Sequence, residues 1–79
     1  MLNEKLKKMR KSKNLKQIEI AKLLDVTNST YAHYEQGVRE PDILTLKKLC
    51  IILDTDLNEL LEFDTKEQRK SVELLLHKD

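Results

Sequence analysis

The 79-residue chain carries 37% charged and 39% hydrophobic residues, with one Gly, one Pro, one Cys and no Trp. That makes one small domain near the lower limit for a self-sufficient core, and its poverty in turn residues predicts an all-helical fold rather than a sheet. One cysteine and two distant histidines exclude an intramolecular disulfide and a zinc site, so no metal or cofactor is expected.

The longest apolar run, Leu49 to Leu53, is far too short to span a bilayer. No charged-then-apolar signal segment opens the chain, so the expectation is a cytoplasmic protein with no membrane partner. The net charge of +1 hides a gradient. Residues 1–22 hold eight Lys or Arg against Glu4 and Glu19; residues 23–53 hold three against four acids, and residues 54–79 hold four against eight. A basic front and an acidic rear would orient the domain toward phosphates and leave the rear for something else.

In chain order, Asn3 is expected to cap a first helix through about Lys13, with Leu2, Leu6 and Met9 on one face. Asn14 can end it in a left-handed turn, with Leu15 packing inward. A second helix opens at Gln17, whose amide can either meet a phosphate at the helix N-terminus or serve as a capping amide. Ile18, Ile20, Ala21, Leu23 and Leu24 give it apolar residues at helical spacing, and the small Ala21 permits close approach of a crossing helix. Asp25-Val26-Thr27 breaks the pattern, and Tyr31 and Tyr34 resume it. Thr27 or Asn28 can cap this third helix, which runs to about Gln36.

Two short helices about a tight break, the second opening on small polar residues, read as a DNA-binding helix-turn-helix. With Tyr31 and Tyr34 turned to the core, Asn28, Ser29, Ala32, His33 and Gln36 are left to face base edges. Asn28 and Gln36 can pair with adenine, Ala32 can touch a thymine methyl, and His33 can donate to a guanine or a phosphate. Gln17, Thr27, Thr30 and Arg39 are the expected phosphate contacts, which position without reading sequence.

Gly37 stops the third helix, and Val38 to Pro41 form a loop. Asp42 caps a fourth helix with Leu46, Leu49, Cys50 and Leu53 inward. Asp56 with Glu59 is a capping box for a short fifth helix through about Phe63. Thr65 with Gln68 suggests another, for a C-terminal helix through about His77 that gathers Val72, Leu75 and Leu76 on one face. Its apolar surplus suggests a dimer contact, shared with Leu57, Leu61 or Phe63; the alternative is a tail folded back on its own core, partly covered by Leu2 and Leu6.

From about Leu6 to Leu61 the chain resembles the helix-turn-helix domain of phage repressors and Cro proteins, the xenobiotic-response-element family. The resemblance rests on Arg10, Leu15, Gln17, Ala21, Val26, Tyr34-Glu35, Gly37, Pro41, Leu46 and Leu49 together. It implies a compact five-helix domain over residues 1–63 with an added C-terminal helix over 64–79, and it favours the phosphate role for Gln17. It also implies an ion pair of Arg10 with Glu35, a carboxylate that phosphates would otherwise repel. Asp25 and Asp54 stand where the family customarily has Gly, and Cys50 where it commonly has Ala.

The implied function is a sequence-specific transcriptional regulator, a repressor occupying a palindromic double-stranded operator as a homodimer. The other reading is a protein-interaction module, an antitoxin or anti-repressor, with a small protein as its partner. An enzyme is not expected: the carboxylates are dispersed, there is no glycine-rich loop, and neither His33 nor His77 has a nucleophile or metal partner in view.

Overall fold

The computed structural model describes residues 2–61 and 73–76. Five helices follow one another: α1 (Leu2–Ser12), α2 (Gln17–Leu24), α3 (Asn28–Gln36), α4 (Ile43–Ile52) and α5 (Leu57–Leu61). Residues 73–76 are also helical, and no strand occurs among the described residues. Helix α1 packs on α3 and α5, α2 on α3 and α4, and α4 on α5. The shared core is Leu6, Ile20, Ala21, Leu24, Tyr31, Tyr34, Leu46, Leu49, Leu53 and Leu60. Burying such side chains contributes roughly 1.5–3 kcal/mol each, which explains how helices this short hold together at all.

The helices stop by one repeated device. After α1, Leu15 N–H donates to the Arg10 carbonyl at 3.2 Å and Asn14 N–H to Lys11 at 3.0 Å. The same two bonds recur after α2 (Val26 to Ala21, Asp25 to Lys22), after α3 (Val38 to His33, Gly37 to Tyr34) and after α4 (Thr55 to Cys50, Asp54 to Ile51). Each is a Schellman closure, which requires one left-handed residue. That residue has φ of 56° at Asn14, 58° at Asp25, 76° at Gly37 and 52° at Asp54. Asn and Asp tolerate this conformation at some cost, so the chain needs only one glycine. At Gly37 the need is double, because a Cβ there would lie 3.2 Å from the Asn3 side-chain nitrogen.

Several expectations change. Asn3 lies inside α1, which already begins at Leu2, and its side chain lies beside Gly37. Thr27, not Asn28, caps α3: its hydroxyl accepts Thr30 N–H at 3.0 Å. Asp42 and Asp56 cap α4 and α5 by accepting Thr45 and Glu59 N–H, each at 2.8 Å. The Glu59 carboxylate itself pairs with Lys5 at 3.3 Å across the α1–α5 contact. Cys50 is half-buried rather than fully inward, and burial pushes its thiol pKa up. Ile18 and Leu23, read as apolar-face residues of α2, are exposed, because Ile20, Ala21 and Leu24 alone meet the core.

Leu6 is wholly buried and belongs to the five-helix core. Leu74, Leu75 and Leu76 are exposed, Leu75 by 71%. Val72, Phe63 and the Thr65–Gln68 capping box lie outside the described residues.

The closures carry a stability prediction. Asp54→Gly removes a strained left-handed side chain and only a 3.9 Å pair between Lys13 and a highly exposed carboxylate. The variant should gain about 1 kcal/mol, read as a melting midpoint higher by about 4–8 °C. Gly37→Ala should move the midpoint the other way by a comparable amount or more.

Candidate nucleic-acid interface

Ala21, 2% exposed, lets α3 cross close to α2, and the left-handed Asp25 turns the chain between them. At 100° per residue Tyr31, Tyr34 and Glu35 fall on one side of α3, and all three are buried. The opposite side holds Ser29, His33 and Gln36, with Ala32 at its edge. Asn28 falls on the Tyr31 and Glu35 side and is exposed as the first residue of the helix. Asn28, Ser29 and Gln36 are exposed, and Ala32 and His33 half-buried. Four of the five candidate base-reading residues therefore lie together on the outer side of α3, and Asn28 is exposed at its N-terminal end. None of their side chains makes a hydrogen bond to another described residue.

Behind that surface lies a closed polar network. Arg10 Nε donates to Glu35 Oε2 at 2.6 Å, and Nη2 donates to Oε1 at 3.1 Å. Nη1 donates to the Leu15 carbonyl at 2.8 Å, tying the α1–α2 loop to the same guanidinium. Gln17 Nε2, from the first turn of α2, donates to Glu35 Oε1 at 3.1 Å. One carboxylate on α3 thus gathers α1 and α2. Arg10 is 9% exposed and Glu35 8%, so the pair is desolvated on both sides.

Burial by itself would raise the Glu35 pKa, but the hydrogen bonds from Arg10 and Gln17, with the Tyr31 hydroxyl close by, outweigh it and hold the carboxyl below its usual range. The Arg10 guanidinium is held charged chiefly by the Glu35 hydrogen bond. Tyr31 packs edge-on to Tyr34 at 6.1 Å. Its hydroxyl is buried beside the pair without a hydrogen bond of good geometry, and burial, then the Glu35 carboxylate, push its pKa well up.

The candidate phosphate contacts divide. Thr27 Oγ1, besides capping, donates its proton to Thr30 Oγ1 at 2.8 Å. The Thr30 hydroxyl proton is then the one left to point outward. Arg39, in the α3–α4 loop, is exposed and lines a shallow groove of about 540 Å³ with Asp25, Thr27, Thr30 and Asp42. Gln17 stands apart at the α2 N-terminus with one amide N–H committed to Glu35 and the other without a partner among the described residues.

The basic front is thinner than the residue count suggests. Arg10 is consumed inside, Lys5 pairs with Glu59, and Lys13 lies 3.9 Å from Asp54. Lys7, Lys8 and Lys11 are exposed on α1. Sequence reasoning missed the Gln17–Glu35 bond, for which no local spacing exists, and the Thr27–Thr30 hydroxyl pair, which the i, i+3 spacing could have suggested.

A family model described as helix-turn-helix matches residues 6–60. The chain belongs to the helix-turn-helix family. Within it the match is to the Cro and phage-repressor type. This helix-turn-helix protein is similar to an uncharacterized HTH-type transcriptional regulator of Bacillus subtilis (strain 168), YqaE: 44% identity over 68 residues, covering 86% of this chain and 59% of YqaE. It is also similar to YonR, an SPbeta prophage-derived uncharacterized HTH-type transcriptional regulator of the same organism. There identity is 40% over 81 residues, covering 96% of this chain and 75% of YonR.

A crystal structure of a transcriptional regulator from Listeria innocua superposes with a TM-score of 0.75 at 28% identity, covering all of this chain and 79% of the other. The chain thus spans between 59% and 79% of these three proteins. The family is one of regulators rather than enzymes. No described helix is long and apolar enough to cross a membrane.

The buried pair gives a pH-dependent prediction. Glu35 has a folded pKa below its ordinary 4.5, so the stability it contributes is present above about pH 4.5 and lost as pH falls through the folded value. Glu35→Gln, which strands a buried guanidinium, should cost about 3–5 kcal/mol near neutral pH. The gap between wild type and variant, measured by urea unfolding from pH 7 to pH 3, should close on the acid side. A gap unchanged across that range would show that the charge is not what stabilises the pair.

Proposed function

We propose that this protein is a sequence-specific, double-stranded-DNA-binding transcriptional regulator of the cytoplasm, a repressor that acts by occupying its operator. The observation that carries this reading is the polar surface of α3, unpartnered among the described residues and backed by a buried ion pair that fixes how the helix is held. A helix of this diameter fits the major groove, where donors and acceptors distinguish all four base pairs. Asn28, Ser29, Ala32, His33 and Gln36 would read bases. The second N–H of Gln17, the Thr30 hydroxyl and Arg39, with Thr27 acting through Thr30, would hold phosphates. The curated relatives' names as transcriptional regulators support the same class of activity.

The regulator acts as a homodimer on a palindrome. One recognition helix reads too few base pairs to select a site in a genome, and a two-fold dimer places a second about 34–36 Å away. The exposed Leu75 and Leu76, with Val72 and Leu61, supply the apolar contact, and residues 64–79 serve as the dimerisation element. Such an isologous contact would leave both α3 surfaces open to one face of DNA.

Selection of bound duplexes from a random pool should yield a palindromic consensus, with affinity falling steeply as salt rises, at a log–log slope of about −0.9 per phosphate contact. On that operator, Asn28→Ala should cost roughly 1–3 kcal/mol and relax preference at one base position, whereas Arg39→Ala should weaken all sequences alike. A chain that prefers no duplex over random DNA at any salt would end the regulator reading. Sedimentation of Leu75→Asp with and without operator tests the dimer: a mutant that pairs normally would move the interface elsewhere.

A further inference from the structure

The groove beside the α3 N-terminus has the wrong sign for a simple phosphate cradle. Two carboxylates, Asp25 and Asp42, line it against one guanidinium, Arg39, and so its net charge is −1. Thr27 and Thr30 line the same space. Asp42 has a structural role as the cap of α4. Its carboxyl is held below the usual range first by the Thr45 hydrogen bonds, with smaller help from the charges of Lys48 and Arg39. Asp25 has no comparable role. Among the described residues its carboxylate makes no hydrogen bond or ion pair, and it occupies a left-handed position that glycine fills at lower cost. Asn14 and Asp54 hold equivalent left-handed closing positions, so the turn accounts for the backbone at Asp25. It does not require a carboxylate beside the donors expected to grip DNA, since Asn closes the same turn without charge.

We infer that Asp25 and Asp42 act as a register filter on phosphate binding, penalising duplex held out of register more than duplex seated on the operator. This rests on the DNA-reading role proposed above. In the operator complex, base contacts fix α3, and the nearby phosphate is placed opposite Arg39 and the Thr30 hydroxyl. On random duplex the protein samples many registers, held almost wholly by phosphate attraction. In most of these the backbone passes the two carboxylates, and like charges at close range repel even in high dielectric. Selectivity then comes partly from repulsion built against the wrong complex. The same acids cost the operator complex little.

The test uses charge-neutral replacements that keep the backbone. Asp25→Asn retains a residue able to adopt the left-handed turn, as Asn14 does elsewhere in this chain. Asp42→Asn retains an equally good helix cap. Full-length wild type, each single variant and the double variant are titrated by fluorescence anisotropy against a random-sequence duplex and against the duplex selected by wild type. Thermal unfolding checks each variant's fold, and Asp25→Asn alone carries the test where the double variant melts early.

The double variant should bind random duplex about five- to tenfold more tightly at low salt and the selected duplex no more than about twofold more tightly. Both gains should vanish near 1 M salt, where screening acts over about 3 Å. Equal gains on the two duplexes, or no gain on random duplex, would overturn the filter while leaving the regulator reading intact. A wild type with no preferred duplex would overturn both.

Discussion

The contact between Arg10 and Glu35 joins residues 25 apart in sequence, and the rest of the arrangement depends on it. Both groups are almost wholly out of water, where an unpaired charge is costly, so neither helix can shift without stranding its partner. A hydrophobic contact would tolerate sliding by a fraction of an ångström, but a two-pronged guanidinium–carboxylate bond is directional. The third nitrogen of Arg10 on the Leu15 carbonyl and the Gln17 amide on Glu35 extend that directionality to the entry of α2. The outer surface of α3 is thus aimed by chemistry on its inner surface.

Much of this architecture was legible in the sequence. Apolar spacing located α2, α3 and α4, and the short polar side chains at Thr27, Asp42 and Asp56 marked where helices begin. Asp25 and Asp54, standing where glycine is customary, were readable as left-handed positions, and the structure gives them positive φ. The start of α1 was not legible. Asn3 looks like a cap by composition, but α1 begins a residue earlier and the Asn3 side chain lies beside Gly37, far off in sequence. Gln17 was ambiguous for the same kind of reason: its hydrogen-bond partner lies 18 residues away and no local pattern encodes it. Local capping chemistry is written in local residue types, whereas side chains that bridge helices are decided by packing.

Charge counting was the least faithful guide. A segment that reads as strongly basic has Arg10 buried, Lys5 on Glu59 and Lys13 beside Asp54. The surface pairs stabilise little, about 0–1 kcal/mol, yet they redistribute the field seen by an approaching polyanion. Conversely, the acids that matter most near the candidate interface are single residues in turns, invisible in a segment average.

The four identical helix endings bear on how the chain acquires its structure. Each closure joins residues three to five positions apart, so every helix carries its own stop signal before any tertiary contact exists. Loops this short add little chain-closure entropy, and helical proteins dominated by near-neighbour contacts fold in microseconds to milliseconds. Ribosomes add about 5–20 residues per second, so one elongation step lasts about 50–200 ms. Once Leu60 is free to reach the core, α1 to α5 should assemble within the time taken to add a single further residue.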